Sequence, residues 1–210
     1  MSRPRIFLLS PAHCGGKRAS LLTRPDAAFD LAVRLRSPAG APLGEIFAFL
    51  SGLYFRGKMA YSQRFENPGG SVPGTLVITP CRGLLSPHTP AGPELLREFA
   101  EIPIDLRNPR YHLPLLEDAE RLRASAPEGA HFVLLGSVAS DKYIAPLTRV
   151  FGERLVFPPL FAGMGDMQRG SLLLRAAAEG VELEYRPVLG AMLSRARRRG
   201  AGVAPPRGDC

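Results

Sequence analysis

Ser10, Lys17, Arg82, Ser140 and Lys142 fall in three segments, SPAHCGGK (Ser10–Lys17), TPCRGLLSP (Thr79–Pro87) and GSVASDKY (Gly136–Tyr143), each at the end of a short apolar run. Every one of these segments joins small residues, whose backbone N–H groups can point at a ligand, to a hydroxyl and a cation. That combination suits phosphate or another anion. YFRGKMAY (Tyr54–Tyr61) adds Arg56 and Lys58, and GDMQRG (Gly165–Gly170) adds Arg169 beside Asp166. A helix opening at the last segment would aim unpaired N–H groups and the positive end of its dipole at an anion. The plainer reading has Asp166 cap that helix while Leu172–Leu174 face a core.

Asp141 and Asp166 are the candidate catalytic carboxylates. Each stands at an expected helix start, where capping alone accounts for an aspartate. In a catalytic role one of them would activate water or stabilise a developing positive sugar while Lys142 or Arg169 holds a phosphate. Tyr54, Phe55, Tyr61 and Tyr143 offer rings that either stack on bases or pack inside the protein. Cys14 and Cys81 each follow an apolar run, but no His/Asp partner stands at an informative spacing, so they read as small hydrophobic residues before they read as nucleophiles. His13, Cys14, Cys81 and His88 have no spacing that compels a metal site, and no metal is expected. GxxxxGK[ST] and a GxGxxG after the first strand are both absent, so no nucleotide cofactor is implied.

A chain of 210 residues with 45% hydrophobic content suits one sizeable domain with a real core. No apolar stretch approaches the roughly 20 residues that span a bilayer. The start carries only the short run IFLLS, and a cytoplasmic location is expected. The net charge is +8, and its distribution matters more than its size. Residues 1–24 hold Arg3, Arg5, Lys17, Arg18 and Arg24 with no acid, and residues 194–210 hold five arginines against Asp209. The body between is close to neutral. Basic ends of this kind suit a polyanionic partner and equally suit a solubilising tail.

The elements that must position these residues alternate. RIFLLS (Arg5–Ser10), TLVIT (Thr75–Thr79) and HFVLLG (His131–Gly136) are nearly continuous apolar runs, the signature of parallel strands buried on both faces. RLVFP predicts a further strand and VELEYRPV (Val181–Val188) an alternating edge strand. Helical patterns cover Asp26–Leu35, Gly44–Tyr54, Pro93–Ala100 and Leu113–Ser125, with DKYIAPLTRVF and the segment after Gly165 continuing the series. The expectation is a single α/β domain over residues 1–192, with a mostly parallel or mixed central sheet covered by helices on both faces, and a basic, disordered tail over 193–210. Ligands of open α/β sheets bind beyond the carboxyl ends of the strands, where the basic segments fall.

Taken in order, these segments resemble the YaaA family of bacterial peroxide-stress proteins. The likeness is carried by Ser10, Pro11 and Ala12; by Phe55, Arg56, Gly57 and Tyr61; by Gly83, Leu84, Leu85 and Pro87; by Ala139, Ser140, Asp141 and Tyr143; and by Gly165, Met167 and Arg169. His13 occupies the place of the family's lysine, with Lys17 four residues on. A looser likeness extends to uracil-DNA-glycosylase-like domains associated with deazaguanine modification, although GQDPY is missing and no helix-hairpin-helix insertion is visible. The resemblance implies an α/β domain that engages DNA or RNA through a basic cleft. A nucleotide-like small molecule is the other expected partner, and the alternative function is an enzyme acting on a nucleobase, nucleoside or modified nucleotide. The expected anion-binding set is Ser10, Lys17, Arg56, Lys58, Arg82, Ser140, Lys142 and Arg169.

Overall fold

The computed structural model describes residues 3–138 and 141–189. In chain order the elements are β1 (Arg5–Leu9), α1 (Lys17–Thr23), α2 (Asp30–Arg36), β2 (Ala41–Pro42), α3 (Leu43–Ser51), α4 (Leu53–Phe65), β3 (Thr75–Ile78), β4 (Leu84–Leu85), β5 (Pro90–Ala91), α5 (Pro93–Glu101), α6 (Pro109–Ser125), β6 (His131–Leu135), α7 (Asp141–Phe151), β7 (Leu155–Phe157), α8 (Asp166–Glu179) and β8 (Arg186–Pro187). Six strands form one mixed sheet in the order β4-β3-β1-β6-β7-β8, and β2 pairs with β5 in a separate ribbon. The inner four strands are parallel, while β4 and β8 run antiparallel along the two edges. The expected α/β class and mixed sheet are what the chain forms.

Hydrophobic burial on both faces explains the apolar runs. Phe7 and Leu9 of β1 point into a core shared with α1–α5 and α8, while Ile6 and Leu8 point to the other face, against α6 and α7. All four are fully buried. A strand covered on both sides has no place for polar alternation.

Three departures from the sequence pattern bear on the site. The expected helix over Gly44–Tyr54 stops at Ser51, because Gly52 adopts φ +65 and a second helix, α4, starts beyond it. YFRGKMAY is therefore helical, and it presents one face to the strand ends. The segment after Gly16 also folds, as α1, where no helix was expected. The strand expected over Val181–Val188 shrinks to Arg186–Pro187. Its first residues are held by side chains instead of a ladder: the Leu183 N–H donates to Tyr61 Oη (2.8 Å), the Tyr61 and Tyr185 hydroxyls bond at 2.7 Å, and Arg5 pairs with Glu182. The expected tail over 193–210 lies outside the described residues. No helix among those described is long and apolar enough to cross a membrane.

Candidate functional site

From β1 the chain moves outward to β3, and from β6 it moves the other way to β7. The carboxyl ends of β1 and β6 therefore flank the point where strand order reverses, the place where open α/β sheets bind ligands. A cleft of about 530 Å³ opens there. Its floor is made by Ser10, Tyr54 and Lys58, and its walls by Lys17 and Arg18 of α1, Lys142 and Tyr143 of α7, and Asp166 and Arg169 of α8. Five basic side chains thus face one carboxylate. A hollow of similar size over the β2–β5 ribbon, lined by Arg36 and Glu94, gathers no such excess.

Lys58 is the most unusual member, at 2% exposed. Its Nζ donates to the Ser10 carbonyl oxygen and lies against Ser10 Oγ, both at 2.8 Å. It also sits over the ring of Tyr54, 4.2 Å from the centroid. Tyr54 and Lys58 are four residues apart and share a helix face. Burial pushes the ammonium down to about 7; Asp166 opposes that shift and Arg169 reinforces it. No carboxylate hydrogen-bonds to this amine in the described structure, which is why desolvation prevails.

Gly136 makes room for the contact. A Cβ on it would come within 2.9 Å of Ser10 Cβ and 3.1 Å of Ser10 Oγ. The Ser10 N–H donates to the Leu135 carbonyl oxygen at 3.2 Å, which fixes the serine at the junction of β1 and β6.

Arg169 is held by two donations to the Phe161 carbonyl oxygen, at 3.2 and 3.0 Å, and by a looser ion pair with Asp166 at 3.7 Å. Asp166 does not cap α8. Gly165 occupies that place, and its N–H donates to Gln168 Oε1 at 3.0 Å, which leaves Asp166 in the first turn with its carboxylate largely exposed on the cleft rim. Tyr54 Oη is buried and makes no hydrogen bond among the described residues. A buried hydroxyl of this kind is normally satisfied. Burial also pushes it up to about 12, with Arg169 acting in the opposite sense.

Of the expected binding residues, the structure gathers Ser10, Lys17, Lys58, Lys142 and Arg169, together with the carboxylate Asp166. Arg82 stands elsewhere. It sits in the turn between β3 and β4, outboard of β1, and its guanidinium donates to Glu98 of α5 at 2.7 and 3.1 Å. Arg56 is exposed on α4, two residues from Lys58; a step of two along a helix turns it about 200° away. Asp141 is exposed at the start of α7 and lines no part of the cleft. Ser140 and Ala139 lie outside the described residues.

Of the two readings open for the aromatic residues, stacking on bases and packing inside the protein, the structure gives the second. Tyr54, Phe55, Tyr61 and Tyr143 are all at most 5% exposed, so their rings pack inside the protein. Burial pushes the Cys14 thiol up to about 12, away from thiolate chemistry. Cys81 is raised to about 11 by burial first and Glu98 second. Among the described residues no three His, Cys, Asp or Glu side chains gather as a metal site would require. Among the described residues, Arg18 is a cleft cation that the expected binding set lacks; its position next to Lys17 was the available signal. No protein-family model, curated protein or solved structure matches the chain.

Proposed function

We propose that the cleft binds phosphate-bearing nucleotide units, as a segment of DNA or RNA or as a nucleotide-like small molecule. The observation that carries this reading is the convergence of Lys17, Arg18, Lys58, Lys142 and Arg169 from four helices, α1, α4, α7 and α8, on a single hollow facing one aspartate. The amino end of α8 adds the positive end of its dipole. With the nearby rings buried, recognition falls to phosphate and sugar more than to bases, which fits binding with little sequence preference. The likeness to the YaaA family agrees with a nucleic-acid partner.

Fluorescence anisotropy with single- and double-stranded DNA and RNA oligonucleotides, titrated between 50 and 200 mM salt, tests the proposal. The logarithm of the binding constant should fall linearly with the logarithm of salt, by about 0.7 to 0.9 per phosphate contacted. Absent or salt-insensitive binding to all four would dismiss it.

A second reading, an enzyme acting on a nucleobase, nucleoside or modified nucleotide, is favoured by one observation, the desolvated amine of Lys58 at the cleft floor. Active sites are where such shifts concentrate. Mass spectrometry of nucleosides and oligonucleotides after incubation would show a changed product for the native protein and none for Asp166→Ala.

A further inference from the structure

The Ser10 hydroxyl and the Lys58 amine are 2.8 Å apart at the bottom of a cleft. A lysine that only held the Ser10 carbonyl oxygen would serve as well with a different side chain at position 10. Here the side chain is a hydroxyl in contact with the amine. Lys58 Nζ donates to the Ser10 carbonyl oxygen and to Ser10 Oγ, and the Ser10 O–H donates to the Leu135 carbonyl oxygen; once the amine is neutral, its lone pair offers the Ser10 proton an acceptor at 2.8 Å. The bond to Leu135 is the longer of the two contacts, at 3.4 Å.

We propose that Ser10 and Lys58 form a nucleophile–base pair, in which Ser10 Oγ attacks the acyl carbon of an ester or amide whose phosphate group is held by the cleft's cations. Ser10 Oγ forms a bond to that carbon while its proton passes to Lys58 Nζ. The tetrahedral oxyanion collapses, the bond to the leaving oxygen or nitrogen breaks, and the leaving group takes the proton from Lys58. Water then attacks the acyl-Ser10 ester, gives its proton to Lys58, and releases the acid as the proton returns to Ser10 Oγ. No oxidant, metal or co-reactant other than water enters. A base that is half neutral near pH 7 suits the first transfer. The choice of a phosphorylated substrate rests on the proposed anion cleft; the nucleophile–base pair does not.

The groups facing Lys58 are Asp166 and Arg169 from α8 and Tyr54 from its own helix. Lys142 and Tyr143 of α7 and His13, Lys17 and Arg18 from the β1–α1 side complete the cleft. His13 is the imidazole among them, so the test must separate it from Lys58.

The full chain is treated with a fluorophosphonate probe between pH 5.5 and 9, and the adduct is located by peptide mass spectrometry. The expected result is an adduct on Ser10 that is lost in Ser10→Ala and forms at a rate rising through a midpoint near pH 7. The midpoint is retained in His13→Gln, and the rate falls by about 100-fold or more in Lys58→Arg. Because position 58 is buried, Lys58→Met is made alongside, thermal unfolding reports which variant is folded, and the native pH profile stands by itself. No adduct on Ser10, an adduct instead on Ser51 or Ser137, which also line the cleft, or a rate indifferent to both pH and Lys58 would overturn the pair. Oligonucleotide binding without Ser10 labelling would retain the anion cleft and reject the pair; Ser10 labelling that phosphorylated oligonucleotides do not slow would do the reverse.

Discussion

Gly57 on α4 and Gly170 on α8 pack backbone to backbone. A Cβ on Gly57 would lie 2.7 Å from the Gly170 carbonyl oxygen, and one on Gly170 would lie 2.8 Å from the Leu53 carbonyl oxygen. Their chain neighbours are Lys58 and Arg169, so the close approach of the two helices brings these cations to the same cleft. Helix propensity favours alanine over glycine by about 1 kcal/mol. Overpacking against fixed backbone costs about 1 to 3 kcal/mol or more. The second effect should win: Gly170→Ala is expected to lose about 2 kcal/mol in urea unfolding, and a gain in stability would show that the helices are not so closely seated.

Lys58 gives stability a pH dependence with a definite sign. Its folded-state value, about 7, lies below the ordinary 10.5. Between those limits the unfolded chain binds more protons than the folded one, so stability rises with pH there; below 7 both states are protonated and the cost of burying the cation is felt in full. Cys14, raised from 9.0 to about 12, acts oppositely above pH 9. The clean window is therefore pH 7 to 9. In it the native protein should gain up to about 1.4 kcal/mol per pH unit relative to Lys58→Met. Denaturant midpoints that run parallel for the two proteins across this window would mean that Lys58 stays charged when folded.

The sheet was legible because β1, β3 and β6 are apolar on both faces, and such runs have few alternatives. The candidate site was legible only in part. Lys17, Lys142 and Arg169 follow strands or open helices, positions that topology brings to one rim, and they meet there. Arg82 occupies the same kind of position yet is taken by Glu98, a pairing between residues sixteen apart whose geometry depends on how α5 crosses the sheet. The sequence alone assigns YFRGKMAY to no element and sets Arg56 beside Lys58 in the binding set. Once it is helical, the 3.6-residue period sends Lys58 inward and Arg56 outward. The contact between Ser10 and Lys58 spans 48 residues and exists only through packing.

Gly136 should be intolerant of a side chain for a reason distinct from backbone strain. A Cβ there would press on Ser10 Cβ at 2.9 Å, and β1 and β6 are paired in register through Leu9 and Leu135, so neither strand end can retreat. Gly136→Ala is expected to cost about 1 to 3 kcal/mol and to turn Ser10 away from Lys58. In the variant's crystal structure the Ser10 Oγ to Lys58 Nζ separation should exceed hydrogen-bond range; an unchanged 2.8 Å contact would show that the junction can absorb a methyl group.

Salt dependence separates cleft cations from the others. Lys17 is an exposed residue at the rim, and a phosphate held by it loses one counterion-release step when the amine is removed. Lys17→Ala should therefore lower the salt slope of duplex binding by about 0.9, and Lys142→Ala should do the same. Arg82 is bound to Glu98 on another part of the surface, and Arg56 faces away from the cleft. Arg82→Ala and Arg56→Ala should leave the slope where it was. Equal losses from all four variants would describe a diffuse basic surface, because a localised cleft requires the first pair to differ from the second.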